Sequence, residues 1–192
     1  MGSIDESILL GKINNKDFDK SLLGSSIKLK EGMLDTDWVI VRVNPYSYDL
    51  WHGIMIGKAA WFGSSYYERF WANHPNMIPA TVKKMCNDYT TLLSKDVQLK
   101  LKSGLNVNCN DDKVVILSAK QLGYTGDDIS NDDNEPIEYF NSDYKRSMGD
   151  VYYTSSASLS NEDYMWVVWN DGTFHQYHYE INRGVIPAIR LG

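Results

Sequence analysis

The histidines are the first residues in this chain to consider for metal chemistry. His175 and His178 stand three positions apart in a segment that reads as a β-strand. On a strand, side chains at i and i+3 point to opposite faces, so we expect this pair not to converge on one ion. His52 and His74 have no cysteine or carboxylate partner at ligand spacing. The sequence therefore predicts no metal site.

The serine clusters carry no signature of nucleophilic catalysis. Gly63-Ser64-Ser65 and Thr154-Ser155-Ser156 lack the G-x-S-x-G elbow, and no Gly-rich phosphate-binding loop is present. A sugar hydrolase would need two facing carboxylates roughly 5–9.5 Å apart, and no spacing among the acidic residues selects such a pair. We therefore expect no enzymatic activity and no cofactor.

Acidic residues concentrate in residues 126–150, which hold eight acidic and two basic side chains and no hydrophobic period. We interpret the segment as a long, solvated surface loop pinned by Ile137, Tyr139 and Phe140. Calcium binding remains an alternative, although the spacing of the acids does not match an EF-hand loop. The candidate oxygen ligands would come from Asp127, Asp128, Asp132, Asp133 and Glu135.

The most informative feature is the ring-rich composition of residues 152–179, which hold five of the 13 tyrosines among Ser, Asn, Asp and His. This mixture resembles an antibody paratope, in which stiff aromatic rings supply contact area and small polar side chains supply hydrogen bonds. An exposed face of this kind suits sugar rings, and ordinary core packing is the alternative. The candidate ligand-binding residues are Tyr153, Trp166, Trp169, Asn170, Asp171, His175, Tyr177 and Tyr179.

The elements that must position these residues are mainly strands. Residues 165–179 predict a hairpin, with a type I′ turn at Asp171-Gly172. Residues 184–191 predict a last strand that is at an edge, or broken, at Pro187. Residues 27–30 and 38–43 predict a second hairpin, and the aromatic stretch 46–71 predicts core with further strands.

One main amphipathic helix is expected after Pro79. Its apolar positions recur with a helical period, and Ser94 is placed to cap a short second helix. Residues 1–23 read as an arm or short helix that docks on the body, and residues 24–192 as one domain. The predicted buried face comprises Val82, Met85, Cys86, Tyr89, Leu92 and Leu93.

Composition excludes several classes of protein. The formal net charge is −6 and no Lys/Arg cluster is present, which argues against nucleic-acid binding. The apolar runs are far shorter than the roughly 20 residues that span a bilayer, and the N-terminus resembles no secretory signal. Cys86 and Cys109 form no C-x-x-C pair, so we expect free, buried thiols.

Several stretches, taken in order, resemble a family of uncharacterised surface and structural domains found in phages and prophages of Gram-positive bacteria. The C-terminal half is also similar in pattern to C-type-lectin-like folds. The sequence departs from the family at Ile186, where arginine is usual, and at Thr154-Ser155. The matching stretches are residues 23–29, 37–41, 92–97, 113–123 and 153–156, then Trp166, Asp171-Gly172 and Gly184-Val-Ile-Pro-Ala-Ile.

The resemblance implies an α+β, C-type-lectin-like fold with one main amphipathic helix, an antiparallel sheet and a C-terminal hairpin. It implies a virion surface protein, made in the host cytoplasm and assembled with other virion subunits as a homo-oligomer, with residues 1–23 as the attachment. We expect an adhesin that recognises a host cell-surface glycan or protein without catalysis. The alternative is a purely structural head, tail or baseplate component with no ligand.

Overall fold

The computed structural model describes residues 3–60, 81–109, 111–129, 132–161 and 163–192. Within these ranges the chain is mainly strand with four short α-helices, so the predicted mixed α+β class is confirmed. Several sequence-based predictions lie outside the described residues. These are the strand near Phe62, the helix start at Pro79, His74, Gly63-Ser64-Ser65 and the aromatic residues from Trp61 to Trp71.

The strands form two sheets. In chain order the elements are β1 (Ile4–Asp5), α1 (Glu6–Asn14), β2 (Ser26–Glu31), β3 (Leu34–Asn44), β4 (Ser47–His52), β5 (Gly57–Ala59), α2 (Thr81–Tyr89), α3 (Lys95–Lys100), β6 (Leu101–Lys102), β7 (Val114–Val115), α4 (Asp143–Arg146), β8 (Tyr152–Ala157), β9 (Tyr164–Val168), β10 (Phe174–His178), β11 (Arg183–Val185) and β12 (Ala188–Leu191). The first sheet has the order β1-β2-β3-β4-β12-β6, with β7 also paired to β12, and the second sheet has the order β10-β9-β8-β11-β5.

The predicted hairpin in the first half of the chain is confirmed as β2 and β3. Ile27 and Leu29 are buried while Lys28 and Lys30 are exposed, which is the alternation of a half-buried strand. Ile27 lies opposite Trp38, which is also buried. The period of two in the sequence therefore determined which side of this hairpin faces the core.

The N-terminal segment packs against the same core. Asp5 accepts a hydrogen bond from the backbone N–H of Ile8 at 2.9 Å and so caps α1, and Leu9 and Ile13 are buried. β1 pairs in parallel with β2. Residues 3–23 are thus a docked helix and strand that complete the edge of the first sheet.

The predicted amphipathic helix is confirmed as α2, with Val82, Cys86 and Tyr89 buried. The prediction that Leu92 continues its apolar face is wrong, because the α-helix ends at Tyr89 and a 3₁₀ turn follows, which changes the period. Leu92 is 48% exposed as a result. Ser94 caps α3 as predicted, accepting from the Val97 N–H at 3.2 Å.

Cys86 and Cys109 are free and buried, as predicted. Burial raises the pKa of the Cys86 thiol well above its usual value, so the sulfur stays protonated. The two thiols therefore act as small apolar groups in the core.

The last two strands of the chain belong to different sheets. β11 belongs to the second sheet and β12 to the first, and the chain crosses between them at Ile186-Pro187. Of the two predicted alternatives, an edge position or a break at Pro187, the structure shows the break, and β12 lies between β4 and the pair β6 and β7. Pro187 is tolerated because it stands between the strands, where no ladder hydrogen bond needs its nitrogen.

One aromatic contact joins the two sheets, and one ion pair satisfies a buried carboxylate in the core. The Trp51 ring of the first sheet meets Tyr152 of the second, with ring centroids 5.9 Å apart. Asp49 is fully buried and accepts two hydrogen bonds from Arg190, at 2.6 and 2.9 Å. This bidentate geometry satisfies a buried carboxylate that would otherwise oppose folding.

A second carboxylate with little exposure, Glu31, closes the end of the β2–β3 hairpin. It accepts a hydrogen bond from the Trp38 indole at 2.9 Å, and its oxygen lies 2.9 Å from His52 Nε2. Because His52 Nδ1 accepts from the Ile54 N–H at 3.1 Å, the neutral ring carries its proton on Nε2. The Tyr89 hydroxyl lies 2.8 Å from the same nitrogen, which ties the hairpin to α2.

Burial by itself raises the pKa of Glu31, but hydrogen bonds from His52, Thr36 and Tyr89 outweigh burial and lower that pKa from 4.5 to about 2. Glu31 is therefore ionised in the folded protein. Its contribution to the free energy of unfolding is fully present above pH 4.5 and is lost as the pH falls towards 2.

Replacement of Glu31 by Gln should lower the free energy of unfolding at pH 7 by about 2–3 kcal/mol, because the amide cannot accept all of these hydrogen bonds. The loss of stability between pH 4.5 and about 2 should also be shallower than in the parent protein. Urea unfolding at a series of pH values measures both effects. Glu138→Gln, at an exposed position, is the control; equal stability of E31Q and the parent at pH 7 would refute the assignment.

Candidate functional site

Three of the predicted binding residues form a stack of rings on the C-terminal hairpin. The Trp169 and Tyr177 rings lie 5.3 Å apart with an interplanar angle of 22°, and the His175 ring lies 5.1 Å from Trp169. Trp169 and Tyr177 are half-buried and His175 is exposed. His175 and Tyr177 are two positions apart on β10, so they share a face of that strand. We call Trp169, His175 and Tyr177 the ring stack.

The hairpin turn places Trp169 at the start of the ring stack. The Trp169 carbonyl accepts from the Gly172 N–H at 2.9 Å, and the Trp169 N–H donates to the Thr173 carbonyl at 2.7 Å. Gly172 has a φ of +89°, whereas Asp171 is not in the positive-φ region. The predicted type I′ turn is therefore wrong, because that turn needs positive φ at both central residues. The observed loop has three residues and a single left-handed glycine.

The Asp171 side chain closes this turn. Its carboxylate accepts hydrogen bonds from the Thr173 hydroxyl at 2.6 Å and from the Thr173 N–H at 3.0 Å. These two bonds lower the pKa of Asp171 below its usual value. Asp171 and Asn170 are both exposed at the tip of the hairpin, beside Trp169.

Arg146, a buried residue of α4, anchors the tip of the hairpin to the body. Its Nε donates to the Gly172 carbonyl at 3.1 Å and its Nη1 to the Phe140 carbonyl at 3.0 Å. Ser147 adds a hydrogen bond from its hydroxyl to the Asn170 carbonyl at 2.5 Å. Because the buried guanidinium bonds to carbonyls of separate segments, the turn is held in one position before any ligand arrives.

Arg183 lies beside the far end of the ring stack. Its guanidinium carbon is 4.3 Å from the centre of the Tyr177 ring, the geometry of a cation–π contact. Arg183 is the first residue of β11, and β11 pairs with β8 in parallel and with β5. Arg183 is not among the residues predicted from the sequence, because its approach to Tyr177 depends on the path of the chain between β10 and β11.

The structure places the other predicted binding residues elsewhere. Trp166 is buried: its ring centre lies 4.3 Å from that of Tyr124, and its indole N–H donates to the Asp128 carbonyl at 2.6 Å. In register Trp166 lies opposite Gln176, so it stands on the other side of the hairpin from His175 and Tyr177.

Tyr179 follows β10 at the end of the hairpin opposite the turn, whereas Tyr153 lies on β8 opposite Val167. Tyr153 is buried, and its hydroxyl donates to the carbonyl of Ile181, with the carbonyls of His178 and Tyr179 also within bonding distance. Burial raises the pKa of Tyr153. The Tyr179 ring stacks on His178, with ring centres 4.7 Å apart. Of the eight predicted residues, the structure thus gathers Trp169, Asn170, Asp171, His175 and Tyr177.

Carboxylates of the acidic loop accept hydrogen bonds from neighbouring segments and so fix the loop in place. Asp128 accepts from the Ser160 N–H and from Gln176 Nε2, each at 2.6 Å, and Asp132 accepts from the Ser156 hydroxyl at 2.9 Å. Burial raises the pKa of Asp128, but the hydrogen bonds from Ser160 and Gln176 lower it overall. Two of the candidate calcium ligands therefore already bond to protein donors.

The described residues contain no group of three or more His, Cys, Asp or Glu side chains placed to hold a metal ion. Among the described residues, the closest association of a histidine with an acid is His52 with Glu31, 21 positions apart, which no spacing rule in the sequence would have selected. The described contacts of this pair are with Trp38, Ile54 and Tyr89, which tie the hairpin to α2, so the pair has a structural role.

Comparisons with protein-family models, with curated proteins and with solved structures gave no match to this chain. In the ranges that the structure describes, no helix has the length and apolar character needed to cross a membrane.

Gly172→Ala should loosen the hairpin tip. Alanine is strained at a φ of +89°, and its Cβ would collide with the Asp143 carbonyl group. We expect the free energy of unfolding to fall by about 1–3 kcal/mol, as measured by urea denaturation. Gly11→Ala is the matched control, because a Cβ built there meets no atom within 4 Å in α1. Equal losses in the two variants would contradict this account of the turn.

Proposed function

We propose that this protein is a non-enzymatic binding module and that the ring stack recognises a carbohydrate on a cell surface. The observation that supports the proposal is the Trp169–Tyr177 pair, with rings nearly parallel and 5.3 Å apart on a hairpin that is anchored at its tip. CH groups on the face of a sugar pack against aromatic rings, and a ring that is fixed in advance loses little conformational entropy on binding.

Polar groups beside the rings supply the hydrogen bonds that sugar hydroxyls require. Asn170 and Asp171 are exposed at the turn, and His175 is exposed on β10. The His175 Nε2 lies 3.0 Å from the Thr173 hydroxyl, which orients the imidazole. Rigid rings flanked by short polar side chains are the composition of surfaces that bind by contact rather than by catalysis.

The proposed setting is the surface of a phage particle, with the protein made in the host cytoplasm and assembled as a homo-oligomer. It rests on the resemblance described above. The C-type-lectin-like assignment belongs to the same proposal, and a long loop with little regular structure lying against a small sheet supports it. We expect each site to bind weakly, with a Kd of about 0.1–1 mM, and display in many copies to raise the avidity.

The double variant Trp169→Ala/Tyr177→Ala should abolish binding to the glycans that the purified parent protein captures. We expect at least a roughly tenfold loss of affinity, because each ring contributes about 1–3 kcal/mol of buried contact. A glycan array, followed by titration with the captured glycan, measures the loss.

The control for that experiment is Tyr46→Ala, which removes a ring that is 80% exposed in the turn between β3 and β4, away from the hairpin. It should bind like the parent protein. Full binding by the double variant would remove the site assignment. Capture of host-surface protein in place of glycan, with the same dependence on Trp169 and Tyr177, would keep the surface and change the ligand.

A second candidate function is a structural subunit without a ligand, and an exposed apolar tip favours it. Met33, Leu34 and Leu92 are 102, 70 and 48% exposed. They lie together because the Gly32 N–H donates to the Leu92 carbonyl at 2.8 Å. Contiguous exposed apolar groups are typical of surfaces that another subunit covers.

If this tip is a subunit contact, Met33→Lys/Leu34→Lys should convert an oligomer into a monomer, because two charges cannot be buried there without partners. Size-exclusion chromatography with light scattering gives the mass of each species. The adhesin proposal expects glycan binding per subunit to survive this change, whereas the structural candidate expects no glycan binding in either form. A parent protein that is already monomeric would refute the contact.

A further inference from the structure

We infer that the glycan carries a negatively charged group, a carboxylate or a phosphodiester, and that Arg183 receives it. This inference rests on the proposed carbohydrate-binding function of the ring stack. Arg183 adjoins the ring stack, because its guanidinium carbon lies 4.3 Å from the centre of the Tyr177 ring, which itself stacks on Trp169. A sugar packed on the rings would therefore present its neighbouring substituent to the guanidinium.

The donors of Arg183 are largely unused. A guanidinium has five N–H donors in a fixed fork. In the described part of the chain the only hydrogen bond from this group is a long one, 3.5 Å, from Nη1 to the Asn182 carbonyl. Nε is buried and has no partner. Nη2 has no hydrogen bond either and is not among the buried unpaired atoms, so it reaches solvent.

The other arginines in the described ranges differ in this respect. Arg190 forms a bidentate pair with Asp49, Arg146 bonds to backbone carbonyls, and Arg42 donates to the Glu135 carbonyl at 3.2 Å. Arg183 has no ion pair within 4.0 Å among the described residues, and its acidic neighbour Asp150 is paired with Lys58 at 2.6 Å. The other three guanidinium groups therefore bond within the protein, whereas that of Arg183 is available to a ligand.

An anionic oxygen fits this group better than a neutral hydroxyl. A planar guanidinium binds carboxylate and phosphate through two parallel hydrogen bonds, and the bond to a charged partner is roughly twice as strong as a neutral one. The chain as a whole carries a net charge of −6 and repels polyanions at long range. Selection for the anion must therefore be local to Arg183 and sensitive to salt.

The test uses an array that prints acidic glycans beside neutral counterparts: oligogalacturonate with its methyl ester, sialylated with desialylated oligosaccharides, and glycerol-phosphate-bearing with dephosphorylated glycans. Arg183→Gln should weaken binding to the acidic members by about 10–100-fold, the value of a charge-assisted hydrogen bond. It should leave the neutral counterparts unchanged within about twofold. Loss confined to one acidic class distinguishes the carboxylate from the phosphodiester.

Arg183→Lys and Lys102→Gln are the controls. Lysine keeps the charge but not the fork, so it should recover only part of the binding to acidic glycans. Lys102→Gln removes the same charge from an exposed position on β6 in the other sheet and should change nothing. A thermal melt of R183Q that matches the parent excludes misfolding. If the melt differs, the ratio of acidic to neutral glycan binding by Arg183→Lys decides whether the fork of Arg183 selects the anion.

Equal binding of acidic and neutral members by the parent protein would overturn the role of Arg183 and leave the ring stack as a site for neutral glycans. Absence of binding to every glycan would overturn the proposed function together with this inference.

Discussion

The chain passes between the two sheets several times, and its shortest crossing, at Ile186-Pro187, ties the sheets most closely together. The residues before it form β11 in the second sheet and the residues after it form β12 in the first. Because one continuous segment must satisfy the hydrogen bonds of both sheets, neither sheet can shift without moving the other. The core between them, including the contact of Trp51 with Tyr152, depends on this constraint. Arg183, at the start of β11, is positioned by it as well.

Charged side chains with little exposure link separate elements of the molecule. Asp49 with Arg190 joins neighbouring strands, Glu31 fastens a hairpin end to α2, and Arg146 holds the tip of the C-terminal hairpin. Each charged group has several partners, because the free energy of removing it from water would otherwise exceed the attraction of a single partner. These contacts keep loops in place that have few apolar residues of their own.

The candidate binding surface follows from that rigidity. A hairpin that is restrained only by its two strands would move at its tip, and stacked rings on it would have no fixed spacing. Here the carbonyls of Asn170 and Gly172 are both bound by α4 and the residue after it. The Trp169 and Tyr177 rings are thus held at one separation, and the Arg183 guanidinium lies against the Tyr177 ring.

Local pattern determined the elements from the sequence alone: alternation along β2, the helical period of Val82, Cys86 and Tyr89, the Ser94 cap and the existence of the C-terminal hairpin. Each of these features depends on residues close together in the chain, so it can be predicted from the local sequence pattern. Tertiary structure decided the rest. The side on which Trp166 and Trp169 lie, the central place of β12, the approach of Arg183 to Tyr177 and the pairing of Glu31 with His52 all depend on how separate strands and loops pack. Strand order and register set such contacts, and these are fixed only when the whole core packs at once.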